Sequence, residues 1–213
     1  MPHAAKADYD KFAEEFSDTR QKPWKEVADF LEGLPKSSHT KQPNQNFVLD
    51  IGCGNGRHLI EAKKRGLNAV GIDISRNLLK IAKRKAKVPL ILGNALALPF
   101  KKSAFYNSIC IAVVHHFKTE KERIKCMEEI ARITKNSILA SVWAFEQEKF
   151  AARKSPDIQL GWNKEHPRFY HLFKDGELNK IAEAAGLKSG KIWRLGNNYW
   201  AILEMPANRK NDI

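Results

Sequence analysis

At 213 residues, 43% of them hydrophobic and 29% charged, the chain has the length of one domain and the composition of a globular protein that buries a core. Its longest apolar candidate, Ile109 to Val114, falls far short of the ~20 residues a membrane helix needs, and Met1 to Asp10 hold no apolar signal core. Membrane insertion and export are therefore not expected, and a cytoplasmic setting is.

In chain order, Tyr9, Phe12 and Phe16 share one helical face, and the pattern breaks around Arg20 to Lys22. Pro23 suits the first turn of a second helix whose Trp24, Val27 and Leu31 share a face. Lys36 to Asn46 is a polar linker. Regular alternation then begins. Phe47 to Ile51 reads as a strand ending in glycine-rich sequence, followed by a helix from about Arg57 to Arg65. Ala69 to Ile72 is a second strand closed by Asp73, and Ser75 caps a helix with Leu78, Leu79 and Ala82 inward. Leu90 to Leu92 and Ser108 to Val114 are the third and fourth strands. Thr119 and Glu122 form a capping-box pattern before a helix that buries Ile124, Met127, Ile130 and Ala131. Ile138 to Trp143 is a fifth strand, after which the pattern lapses until about Asp175. A helix from Gly176 to Ala185, with Gly186 as its C-cap, leads to two closing strands near Lys191–Leu195 and Tyr199–Glu204. Such alternation implies an α/β fold, a mostly parallel seven-stranded sheet with helices on both faces. One domain is expected: a helical extension and linker (1–46), a cofactor-binding core (47–143), a substrate-side insertion (144–175) and a closing unit (176–213).

Charge narrows the choice of partner. Lys and Arg number 37 against 24 acidic residues, a net charge of +13, and Arg57 to Lys87 alone holds ten basic and two acidic residues. Such an excess attracts polyanions, of which nucleic-acid backbones are the commonest. Cys53, Cys110 and Cys126 are odd in number and lack ligand spacing, so reduced thiols and no metal site are expected.

The first strand runs into Asp50-Ile51-Gly52-Cys53-Gly54-Asn55-Gly56. Dinucleotide enzymes place a third glycine later, as G-x-G-x-x-G, where a pyrophosphate meets the helix. Arg57 stands at that place here, which argues against an NAD-dependent dehydrogenase. The tighter turn, led by an acid, suits a cationic sulfonium with an amino acid group, as in S-adenosyl-L-methionine. Asp73 and Ile74, seventeen residues beyond Gly56, are placed to hold the ribose. Asn94 and Ala95 follow the third strand beside the adenine, and Ala112 and Val113 close the fourth beside the sulfonium. Ligands of open α/β sheets bind at these strand ends.

Four blocks resemble a known family. They are Tyr9 to Trp24, with Arg20, Lys22 and Trp24 at its end; Ile111-Ala112-Val113-Val114-His115-His116; Val142 to Gln147; and Arg168-Phe169-Tyr170-His171 continuing to Leu178. Together they look like the tRNA wobble-uridine carboxymethyl methyltransferases, class I Rossmann-like enzymes. The resemblance implies esterification of 5-carboxymethyluridine in tRNA anticodons and a small zinc-binding activator protein as partner. The chain departs from that family at Asn94, where many relatives have aspartate, and in a shorter loop after Trp143 than fungal members have.

A carboxylate nucleophile is ionised at neutral pH, since its pKa is about 4, so no general base is required and alignment carries the catalysis. Arg20 is the first candidate to grip it, through a guanidinium fork that matches carboxylate geometry. His115 and His116 border the methyl donor, and strand alternation is expected to send one to the pocket and one to the core. Arg168, Tyr170, His171, Lys22 and Trp24 are expected at the substrate mouth. Trp143, Trp162 and Trp200 are candidates to stack on bases, with core burial favoured for Trp143 and Trp200. Two other readings stay open: a methyltransferase of a small-molecule acid or phenol, and a non-catalytic RNA-binding protein.

Overall fold

The computed structural model describes residues 8–36, 45–162 and 165–206, so most of the linker and the Trp162 side chain lie outside the described part. In chain order the elements are α1 (Ala13–Asp18), α2 (Lys25–Glu32), β1 (Phe47–Ile51), α3 (Arg57–Lys64), β2 (Asn68–Asp73), α4 (Arg76–Ala86), β3 (Leu90–Leu92) and β4 (Phe105–Ile111). They continue with α5 (Glu120–Ile133), β5 (Thr134–Trp143), β6 (Asp157–Trp162), β7 (Glu165–His171), α6 (Glu177–Ala184), β8 (Lys188–Leu195) and β9 (Asn198–Glu204). Seven strands form one sheet in the order β3-β2-β1-β4-β5-β9-β8, while β6 and β7 pair separately. Pairing from β3 through β5 is parallel, and β9 runs antiparallel against both β5 and β8.

The continuous apolar runs of the strands follow from burial on both faces. Leu49, Cys110 and Ile138 pack on the side of α5 and α6 with Met127, Ile130, Leu178 and Ile181. Their neighbours Val48, Ile109 and Leu139 pack on the other side with Val27 and Leu31 of α2 and Leu59 of α3. Alternate side chains of a strand point to opposite faces, so two cores form from one run. The caps fall where the sequence puts them: Ser75 Oγ accepts from Leu78 N at 3.1 Å, and Thr119 and Glu122 close a capping box.

Four expectations need correction. The fourth strand covers Phe105–Ile111 rather than Ser108–Val114, because Ala112 takes a φ of 59° and turns the chain out of the sheet. Val114 to His116 then form a 3₁₀ turn. Pro23 lies outside the second helix, whose N-cap is Trp24; Trp24 is 41% exposed and leaves the face of Val27 and Leu31. The first helix is short, yet Tyr9 still packs on Phe12 and Phe16 at 5.4 and 5.3 Å. Finally, the stretch between Trp143 and Asp175 contains the β6–β7 hairpin, with Ile158, Tyr170, Leu172 and Phe150 in a small core of its own. Asp157-Ile158-Gln159-Leu160 alternates polar and apolar residues, a period-2 signal hidden by basic and aromatic neighbours.

Candidate active site

A cavity of about 400 Å³ opens at the carboxyl ends of the parallel strands, within the size range of small-ligand sites. Its floor is the turn between β1 and α3. Gly52 and Gly54 line it with φ of 72° and 53°. A Cβ on Gly52 would sit 2.3 Å from Val113 Cγ2, so only glycine lets the turn close against the β4 exit. Gly56 does not line the cavity. It caps α3 with φ 80°, and a Cβ placed on it would sit 3.1 Å from Ala82 Cβ of α4, so its role is close packing.

Asp73 locks this turn to the end of β2. Its Oδ2 accepts from Gly54 N and its Oδ1 from Ser75 N, both at 2.8 Å. Burial pushes its pKa up, and backbone donors from Ser75, Gly54 and Ile74 oppose that. Each oxygen keeps acceptor capacity toward the cavity. Asp50 lies beneath the turn, 1% exposed, and is absent from the lining. Neither of its oxygens has a hydrogen-bond partner; His58 Nδ1 lies 3.8 Å away, in a ring that burial keeps neutral. Burial and the charge of Asp73 raise its pKa to about 8. Cys53, Ile74, Asn94, Ala95, Ala112 and Val113 all line the cavity. Asn94 Oδ1 accepts from Leu96 N at 3.0 Å. Asn55 lines the cavity too, while its amide donates to Ser17 Oγ at 3.1 Å and Arg20 O at 2.9 Å, and so ties the glycine turn to the N-terminal segment.

That segment is laid across the cavity by Asp10, whose Oδ1 accepts from Ser75 Oγ at 2.6 Å and Asn77 N at 2.9 Å. Arg20 lies 4.3 Å over the Phe16 ring. Arg168, only 7% exposed, holds its guanidinium 5.0 Å over Tyr9, 5.1 Å over Phe12 and 5.3 Å over Tyr170. Tyr170 in turn stacks on Trp143 at 4.6 Å. Burial raises the Tyr9 phenol, keeping it protonated.

His115 and His116 both line the cavity, contrary to the alternation expected of a strand, because they sit on the 3₁₀ turn. Their difference lies in tautomer. Trp143 N–H donates to His115 Nδ1 at 3.1 Å, which leaves the His115 proton on Nε2. Phe169 O lies 3.2 Å from His116 Nδ1 and can only accept, so that nitrogen carries the proton and Nε2 accepts from Tyr9 OH at 3.1 Å. Burial drives both rings neutral, His116 to about 4 and His115 well below its usual value.

Besides Asp50 and Gly56, two residues expected at the substrate mouth are not brought to the cavity. Lys22 is exposed, and its carbonyl accepts from Arg57 at 3.4 Å. His171 is held between Asp157 and Glu177, both at 2.6 Å, since alternation along β7 turns Arg168 and Tyr170 inward and its neighbour away. Residues not assigned to the site from sequence also line it: Tyr9, Phe16, Arg57, His58 and Gln147, with Asn197 from the β8–β9 turn and Asn198 at the start of β9. The signal for the last two was the Gly196-Asn197-Asn198 turn between strands.

The residues fit S-adenosyl-L-methionine: a glycine turn that no Cβ can enter, a buried carboxylate beneath it without a partner, and Asp73 at the adjacent strand end. A strand order with one antiparallel insertion beside β5 and a cavity at the strand ends defines the class I methyltransferases. A "Methyltransferase domain" family model matches residues 48–137. A chain from the complex of the Haloferax volcanii Trm112 methyltransferase activator with a methyltransferase shares this fold, with a TM-score of 0.72 at 15% identity over 94% of this chain and 97% of that one. The tRNA (carboxymethyluridine(34)-5-O)-methyltransferase of Schizosaccharomyces pombe is 32% identical over 92% of this chain and 93% of its own length. The chain belongs to that family. It is also 41% identical, over 66% of its length, to the Xenopus tropicalis relative of the same activity, of which it matches 21%.

Proposed function

We propose that this chain uses S-adenosyl-L-methionine to esterify the carboxylate of 5-carboxymethyluridine at the wobble position of tRNA, forming 5-methoxycarbonylmethyluridine. The observation that carries this reading is the placement of Arg20 and Arg168 in one cavity with the glycine turn. A paired cationic grip on an anionic nucleophile is what carboxylate methylation asks for. When bound, the cofactor supplies an electrophilic methyl group.

The rest is done by the chain. Gly52 and Gly54 cradle the donor, Asp73 takes ribose hydroxyls on its remaining lone pairs, and Asp50 sits beneath a cationic ligand whose charge would favour its ionised form. Arg20 and Arg168 hold the substrate carboxylate in line. His115 offers a neutral Nε2–H donor, with no proton to accept, and this suits a reaction that needs no base. His116 fixes Tyr9, which positions Arg168. Aromatic walls from Phe16, Trp143 and Tyr170 exclude water, strengthening these electrostatic contacts.

The basic surface receives the tRNA, and a small zinc-binding activator pairs with β3. That strand ends the sheet, its Leu92 is 49% exposed, and Pro89 at its entry is a residue tolerated mainly at edges. The test is transfer of labelled methyl, with and without activator, to anticodon stem-loops carrying carboxymethyluridine, its amide, or uridine. Labelling of the carboxylate form alone supports the reading; equal labelling of the amide or uridine overturns it.

A further inference from the structure

Trp24 is the most exposed aromatic ring among the described large hydrophobic residues, at 41%, although it borders the cavity. Its position is not loose. The ring meets the buried Trp200 edge-on at 5.8 Å, and Trp193 lies nearly parallel to Trp200 at 6.3 Å and 15°. Trp193 and Trp200 are direct register partners on β8 and β9, so the sheet fixes both. Each outer ring has a cation over it: the Arg57 guanidinium 5.9 Å from the Trp24 centroid and the Lys191 ammonium 5.2 Å from that of Trp193. Two residues beyond Trp193, Leu195 is 51% exposed.

We infer that Trp24 and Trp193, flanked by Arg57 and Lys191, form a stacking platform at the cavity mouth for the unpaired nucleotides that flank the target uridine. The inference rests on the reading of the substrate as an anticodon loop. Proteins recognise such loops by splaying bases onto aromatic and arginine planes. Stacking is sequence-tolerant because every base has a π-face, and adjacent cations neutralise phosphates. Rings already held by Trp200 lose little freedom when a base arrives. The platform also lies toward the β8 end of the sheet, opposite β3, so RNA and a partner on the β3 edge do not compete.

The experiment compares wild type, Trp24→Ala, Trp24→Phe and Trp193→Ala, each with activator, on a carboxymethyluridine anticodon stem-loop. Melting temperature and cofactor affinity are measured alongside. The platform predicts that Trp24→Ala raises the KM for the stem-loop roughly 5- to 100-fold, the range of one lost base stack. Trp24→Phe recovers most of this, and Trp193→Ala gives a smaller rise. Cofactor affinity and binding to a duplex RNA of equal length stay at wild-type values. An unchanged KM for Trp24→Ala, with active wild type, overturns the platform and leaves the function standing. Equal weakening of duplex binding also overturns it, because phosphate contact then explains the loss. Wild type that does not methylate the stem-loop refutes the function itself.

Discussion

The two halves of the cavity are built by different means. The cofactor half is backbone: a glycine turn, strand ends and one carboxylate, all between residues 50 and 113. The substrate half is side chains from distant segments, with Tyr9 meeting His116 across 107 positions and Arg168 reaching back over Tyr9 and Phe12. A backbone site fails through sterics and strain, whereas a side-chain site fails through lost charge and lost alignment. Substitutions in the two halves therefore separate donor binding from catalysis.

The largest effect is expected at Gly52. Alanine there must adopt a φ near 72° and meet Val113 at 2.3 Å, combining left-handed strain with overpacking, roughly 2–5 kcal/mol together. Calorimetry should show cofactor binding nearly lost and thermal melting a lowered midpoint. Affinity within twofold of wild type would mean the turn is not closed against Val113.

Next comes a crossed pair. Arg20→Ala should lower kcat/KM for tRNA by about 1.5–3 kcal/mol, the worth of hydrogen bonds to a charged group, with cofactor affinity unchanged. Lysine should rescue poorly for want of a fork. Asp73→Ala should do the reverse, weakening cofactor binding by about 1–3 kcal/mol. If both variants shift both constants equally, the two halves are one site and the distinction fails.

The same contrast explains what the sequence disclosed. Asp50 to Gly56, Asp73, Asn94 and Ala112 occupy successive strand ends, so periodicity and glycine spacing located the cofactor half. The capping residues Ser75 and Thr119 and the third strand, Leu90–Leu92, are legible for the same local reason. Arg168 and Tyr170 were reached only through resemblance to a family, since nothing in their own spacing marks a cavity. The histidine pair departs from strand alternation because Ile111 to Val114 carries a strand's apolar pattern, while the break at Ala112 depends on packing against Gly52 and β5. His171 shares a sequence block with Arg168 and Tyr170, and such a block does not say which face each residue takes.

A smaller effect concerns pH. Asp50 has a folded pKa near 8 against about 3.9 unfolded, so between those values the folded state holds the extra proton and stability falls as pH rises. His58 and His116 act oppositely: burial lowers them to about 3 and about 4, and their contribution is present above about 6.5 and lost as pH falls. Between pH 6.5 and 8 the decline belongs mainly to Asp50, at no more than about 1.4 kcal/mol per unit. Thermal melts of the cofactor-free protein should show that decline, and Asp50→Asn should flatten it. A flat wild-type profile would place Asp50 in a solvated site.

The smallest expected effect is at His171. Replacing it with alanine removes its contacts to Asp157 and Glu177, costing about 1 kcal/mol of stability, while the KM for tRNA per folded enzyme stays put. A raised KM would return His171 to the substrate mouth.

The central claim, that this cavity esterifies a wobble carboxylate, is tested most directly by nucleoside mass spectrometry. Substrate tRNA is taken from cells lacking the corresponding methyltransferase, incubated with the protein, its activator and S-adenosyl-L-methionine, and digested to nucleosides. Conversion of 5-carboxymethyluridine to its methyl ester, reversed by mild alkali and slowed about 10- to 150-fold by Arg20→Ala, is the result expected. A methyl group on any other nucleoside, or an alkali-stable product, would contradict it.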